Sequence, residues 1–162
     1  YLVFAFTSVG APQIWNGDEM GMWGADDPYG RKPLWWKEMK FSPENRNNFQ
    51  PVKKTEYDKV GFNSGMFEYY KKLIALRKSN SVLSTGEFEF IEATGTRLAY
   101  KRFDANDEII VLFNMGEKAE KFVLPPAKNV RNLLTGNQLM KNTLILPKYS
   151  AAVLRVSVDT NR

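Results

Sequence analysis

Histidine and cysteine are both absent from this sequence of 162 residues, so any acid–base chemistry within it falls to carboxylates, lysine or tyrosine. An imidazole base, a thiolate nucleophile, a disulfide and a zinc finger are all excluded. Two carboxylate pairs stand out, Asp18-Glu19 directly after Asn16-Gly17, and Asp26-Asp27 four residues before Arg31. Adjacent side chains at a strand end diverge. One of Asp18 and Glu19 is therefore expected to accept backbone hydrogen bonds in the loop, the alternative being that they orient catalytic groups from behind. Asp27 and Arg31 can pin their loop as an internal ion pair. Asp26 and Asp27 lack the spaced oxygen ligands of a calcium loop, so no metal and no cofactor is expected. Trp23, Trp35 and Trp36 crowd the same stretch, where indole rings either pack a core or stack on a flat ligand.

The surrounding composition is that of a folded domain: 43% hydrophobic, 25% charged and 14% aromatic. The net charge of +5 is spread along the chain, with 12 Lys/Arg against 9 Asp/Glu in residues 1–80 and 11 against 9 thereafter. A phosphate-tracking surface needs a clustered stripe, so no nucleic-acid partner is expected. The opening run Tyr1-Leu2-Val3-Phe4-Ala5-Phe6 stops well short of a membrane span. With no leading positive segment it reads as a helix end cut from the interior of a longer protein, and no membrane partner is expected.

Several elements must position these residues. Gly10-Ala11-Pro12 breaks the opening run, Gln13-Ile14-Trp15 reads as a short buried strand, and Asn16-Gly17 turns it. A long irregular stretch follows to about Asn63, of the kind that in compact domains carries function. Asn63 or Ser64 then caps a helix with Met66, Tyr70, Leu73, Ile74 and Arg77 at helical spacing and Arg77-Lys78 in its last turn. Phe67, Tyr69 and Tyr70 are expected to pack.

From Ser81 the pattern changes to period two. Seven strands separated by polar turns predict an antiparallel β-sandwich over 81–162, its lysines and arginines forming a solvated sheet face. A lone strand at 13–15 cannot make a sheet, so residues 1–80 look like the closing unit of something larger.

Those residues carry a resemblance. Gly10-Ala11-Pro12-Gln13-Ile14-Trp15-Asn16-Gly17-Asp18-Glu19-Met20-Gly21-Met22 is similar to the eighth-strand motif of the α-amylase family of glycoside hydrolases (family 13). Trp23 to Trp36 resembles the loop of its neopullulanase and cyclomaltodextrinase-like members. Phe67 to Lys78 resembles the final barrel helix, and Leu83, Gly86 and Phe88 the entry to the C-terminal domain. One departure is Trp15-Asn16, where the family more often has two tyrosines.

The resemblance implies a mixed fold: the terminal β/α unit of a (β/α)₈ barrel in 1–80, then an antiparallel all-β sandwich in 81–162. It implies a retaining α-glucan hydrolase whose nucleophile and acid, ~5–5.5 Å apart, lie upstream of Tyr1 together with the rest of the barrel. No catalytic residue is then expected here, and the isolated chain would be inactive. The loop after Asp18 would line the cleft. Asp27 and Arg31 would contact glucose units, with Trp23 as a stacking platform, and the substrate would be an α-glucan or maltooligosaccharide. The competing expectation is a stand-alone, non-catalytic carbohydrate-binding module, which calls for a row of exposed aromatics on one sheet face. Uncovered Ile14 and Trp15 would favour self-association of the piece alone.

Overall fold

The computed structural model describes residues 1–24, 31–44, 57–126 and 129–157. Among them it is mostly antiparallel sheet with few helices. Packing divides the chain into two compact units, one of residues 1–12 with 74–162, the other of residues 13–73. The division falls within a helix, and the segments 1–12 and 74–80 pack with the sheet rather than with the loop region between them.

In the first unit, α1 (Leu2–Thr7) and α3 (Val82–Thr85) accompany eight strands: β1 (Glu87–Thr94), β2 (Arg97–Phe103), β3 (Glu108–Asn114), β4 (Glu120–Val123), β5 (Val130–Asn132), β6 (Gln138–Leu139), β7 (Thr143–Leu146) and β8 (Ser150–Val156). Six form a sheet in the order β1-β2-β3-β8-β5-β6, and β4 pairs with β7. Every pairing is antiparallel. The alternation in sequence anticipates all of these but the two-residue β6.

Local chemistry sets the hairpins. Asp104 Oδ1 accepts from the backbone N–H groups of Asn106 and Asp107, both at 2.8 Å, an Asx turn that aligns β2 with β3. These two bonds hold the Asp104 carboxyl below its usual range. On the β1 edge the register slips between Phe90 and Glu92, leaving Ile91 as a bulge.

Residues Ile109 to Asn114 of β3 are buried throughout, so both faces of the sheet are covered. One face joins Ala99, Ile110, Leu112, Ala152, Leu154 and Val156 to Phe122 and Leu146 of the two-stranded sheet. Asn114 latches the two sheets, its Nδ2 donating to the carbonyls of Lys118, Leu146 and Pro147. Tyr100, Arg102, Val111 and Phe113 lie on the opposite face, against α1 and α3. There the Phe4 ring meets Tyr100 and Phe113 edge-on at 5.9 and 6.3 Å, and the Tyr100 hydroxyl shares a 2.6 Å hydrogen bond with Thr7 Oγ1. Burial pushes this phenol up to about 12.

Arg102 departs from the expectation that the strand cations are a solvated face, being 1% exposed. Its guanidinium donates to the carbonyls of Thr7, Ser8, Leu83, Gly86 and Glu87 at 2.7–3.2 Å. The carbonyls of Thr7, Ser8 and Leu83, Gly86 close the C-terminal ends of two short helices, which have no intrahelical donors left to offer them. The planar fork of arginine reaches several at once. Arg77 does the same from beyond the core, donating to Phe6, Ser8 and Gly10. Desolvation is the main cause lowering the pKa of each arginine.

In the second unit the first ten residues of α2 (Ser64–Lys78) follow a single 3₁₀ turn (Asp18–Met20) and irregular chain. Asn63 Oδ1 accepts from Met66 N at 3.0 Å, the N-cap of α2. None of the described helices is long and apolar enough to cross a membrane.

Candidate functional site

The residues singled out by the sequence gather, where described, in the second unit. Residues 11–15 lead into it without regular secondary structure, and Ile14 and Trp15 are 38% and 71% exposed. The short buried strand predicted at 13–15 is therefore neither a strand nor buried. A strand needs a neighbour for its backbone groups, and none of the described strands pairs with it.

The turn itself is tightly specified. Asp18 N donates to Trp15 O at 2.9 Å, with Asn16 and Gly17 at the centre. Gly17 has φ +101° and ψ −12°, as the third position of a type II turn requires. A Cβ on Gly17 would lie 2.6 Å from Met22 Sδ, so backbone and packing both demand glycine. Gly17 O accepts from the N–H groups of Met20 and Met22, each at 3.0 Å. Met20 is 1% exposed, and its carbonyl accepts from Asn63 N at 3.0 Å. The same asparagine thus caps α2 and ties it to the turn.

Asp18 Oδ2 lies 3.3 Å from Trp15 N, and Glu19 Oε2 accepts from Gly17 N at 3.1 Å. Both carboxylates point back into their own turn, Asp18 exposed and Glu19 half-buried. That arrangement neutralises loop donors and leaves no pair of facing carboxyls at this point. Among the described residues no group of three metal-ligating side chains gathers.

Beyond the turn, Trp23 meets Trp35 edge-to-face at 6.0 Å. The Lys32 ammonium lies 4.6 Å from the Trp23 ring centroid and 4.8 Å from that of Trp35, and it pairs with Glu44. Glu44 in turn bridges Asp58 through two backbone hydrogen bonds of 2.9 and 2.8 Å. Trp35 is 2% exposed and acts as packing, whereas Trp23 is half-buried and Trp36 is 48% exposed. Arg31 is exposed. Asp27, like Asp26, lies outside the described residues. Sequence reasoning missed Lys32 and Glu44, since nothing in their spacing signals a cation between two indoles. The nearness of one lysine to two tryptophans in an otherwise irregular stretch was the available hint.

The sheet-rich fold matches the C-terminal domain of α-amylase-family enzymes, and comparison with known proteins bears on that class directly. A cyclomaltodextrinase of Thermoanaerobacter pseudethanolicus is 34% identical over 156 residues, covering 95% of this chain and 24% of the relative. Neopullulanase 2 of Thermoactinomyces vulgaris is 31% identical over 144 residues, covering 85% and 21%. The solved α-amylase of Geobacillus thermoleovorans, in complex with acarbose, superposes with a TM-score of 0.75 at 19% identity, covering 98% of this chain and 32% of that one. No family model matches the chain. It spans about a quarter of the length of these curated relatives, and they and the solved α-amylase are what this chain is similar to.

Proposed function

We propose that this chain is the C-terminal portion of a retaining α-glucan hydrolase, supplying the last β/α unit of a (β/α)₈ barrel in residues 1–80 and a C-terminal β-sandwich in residues 81–162. The carrying observation is the collinear match, over 95% of this chain, to a quarter of a cyclomaltodextrinase. Two further features support it. Residues 13–15 have the sequence of a buried strand yet none of the described strands beside them, as a barrel rung separated from its neighbours would. Asp18 and Glu19 are both committed to their own turn, which agrees with a nucleophile and acid carried elsewhere in the polypeptide.

In this reading the turn at Asp18 and Glu19 braces the rim of the cleft, and Trp23, Asp27 and Arg31 meet the glucan. A guanidinium offers several fixed donors to neighbouring hydroxyls, a carboxylate accepts from them, and an indole covers the apolar face of a pyranose. Retention requires two carboxyl groups ~5–5.5 Å apart across the scissile bond, supplied by the preceding barrel. The reading as a separate binding module is less well supported. Tyr100, Phe113 and Phe122 are buried, leaving Phe90 as the well-exposed aromatic of the described strands.

The test is to assay the chain alone, and joined to the polypeptide encoded upstream of it, on maltooligosaccharides, pullulan and cyclodextrins. Activity only in the joined protein is expected. Turnover by the chain alone, lost on substitution of a carboxylate within it, would overturn the proposal.

A further inference from the structure

Asn16 is where this chain departs from the motif it otherwise resembles, and the departure creates a reactive pair. Asn16-Gly17 is the sequence's single Asn-Gly step. An asparagine side chain followed by glycine is open to attack by the next backbone nitrogen, because no side chain on that residue stands in the way. Gly17 cannot be exchanged to relieve this, given its positive φ and the Met22 side chain over its Cα.

Other asparagines are better protected. Asn63, Asn80, Asn114 and Asn132 each have a side chain held by a backbone partner. Asn106, Asn137 and Asn142 precede Asp107, Gln138 and Thr143 rather than glycine. Asn16 is exposed, and among the described residues no hydrogen bond holds its amide.

We propose that Asn16-Gly17 is the site of spontaneous deamidation in this chain, and that the Glu19 carboxylate restrains the reaction. The Gly17 nitrogen loses its proton and attacks Asn16 Cγ. A C–N bond forms, and the side-chain nitrogen leaves as ammonia, producing a five-membered imide. Water then opens the ring at either carbonyl, leaving aspartate or isoaspartate at position 16. The proton that must depart is the one Gly17 donates to Glu19 Oε2 at 3.1 Å. Losing it would break a hydrogen bond to an anion and place a second negative charge beside the first. Glu19 is a positioning residue in this sense: it holds the attacking nitrogen in its unreactive, protonated state. Deamidation would add a charge next to Asp18. The isoaspartate product also lengthens the backbone by one atom, within the span closed by the bond from Asp18 N to Trp15 O.

The experiment ages the folded chain at mildly alkaline pH and follows each asparagine by peptide mass analysis and isoaspartate release. Wild type, Glu19→Gln, Glu19→Ala and Asn16→Gln are compared, with circular dichroism to confirm folding and a parallel series in denaturant. Conversion at position 16 ahead of every other asparagine is expected. Both Glu19 variants should react roughly ten- to a hundredfold faster when folded, the scale of one lost charge-assisted hydrogen bond. In denaturant they should match wild type, and Asn16→Gln should stay unmodified at that position. Earlier conversion of another asparagine would overturn the site. Unchanged or slower reaction in the folded Glu19 variants would overturn the restraint, as would a rate difference that persists in denaturant.

Discussion

Replacing Arg102 by methionine should destabilise the sheet-bearing unit by about 3–5 kcal/mol. Methionine keeps much of the buried volume and removes every donor. Thr7 and Leu83 then lose their partner in a fully buried setting, at 3.1 and 2.7 Å in the intact chain. A buried carbonyl left unsatisfied costs about 1–3 kcal/mol, and these two set most of the total. Ser8, Gly86 and Glu87 sit in partly buried contacts, where water can replace the guanidinium at small cost. Arg102→Lys retains the charge on a single nitrogen that cannot span both helix ends, so it should recover less than half of the loss. Arg155→Met serves as the surface control. Its ion pair with Asp107 is exposed and should be worth less than about 1 kcal/mol. Urea unfolding followed by circular dichroism measures all three, with an unchanged m-value certifying that the same transition is compared. A loss below about 1 kcal/mol for Arg102→Met would show that the carbonyls find other partners, and the account of Arg102 as the clasp of α1 and α3 would fail.

Three other outcomes can be checked. Gly17→Ala should lower the unfolding midpoint by the equivalent of about 2 kcal/mol, from positive φ and the clash with Met22, whereas Gly136→Ala, which meets no neighbour, should cost only its φ strain. Tyr100 keeps its proton to about 12 when folded and loses it near 10 when unfolded. Above pH 10 the unfolded state therefore holds fewer protons, and stability should fall by up to about 1.4 kcal/mol per pH unit until pH 12. Tyr100→Phe should flatten that slope in denaturation curves taken across the range. In the joined enzyme, Arg31→Ala and Trp23→Ala should raise KM for maltooligosaccharides several-fold while leaving kcat within about threefold; a loss confined to kcat would remove them from substrate binding.

The sheet was legible because its strands read as short apolar runs between polar turns, Ile109 to Phe113 as a run buried on both faces and Val130–Asn132 in alternation. The Asn63 cap and helix α2 were legible from equally local signals. Residues 13–15 were not, since their apolar side chains predict a burial and pairing that no described strand supplies. Arg102 was misread because a cation in a strand normally faces water, and only the tertiary arrival of two helix ends makes it the better core residue. In the turn centred on Asn16 and Gly17, glycine and acid positions could be read from the motif. The perch of Lys32 between Trp23 and Trp35 arises from irregular chain, where spacing carries no periodic information.

The two borders of the six-stranded sheet bear on how this protein behaves when concentrated. At one border, β1 carries Glu87 together with Glu89 and Glu92, which pair with Lys101 and Arg97, and its ladder is interrupted at Ile91. At the other, β6 is two residues long. A second molecule aligning along the first border meets charged side chains and a broken row of amides, and one approaching the other finds too few amides to register upon. Growth by adding strand to strand is thus frustrated at both margins, and crowding in solution should not convert this protein into fibrillar assemblies through its sheet.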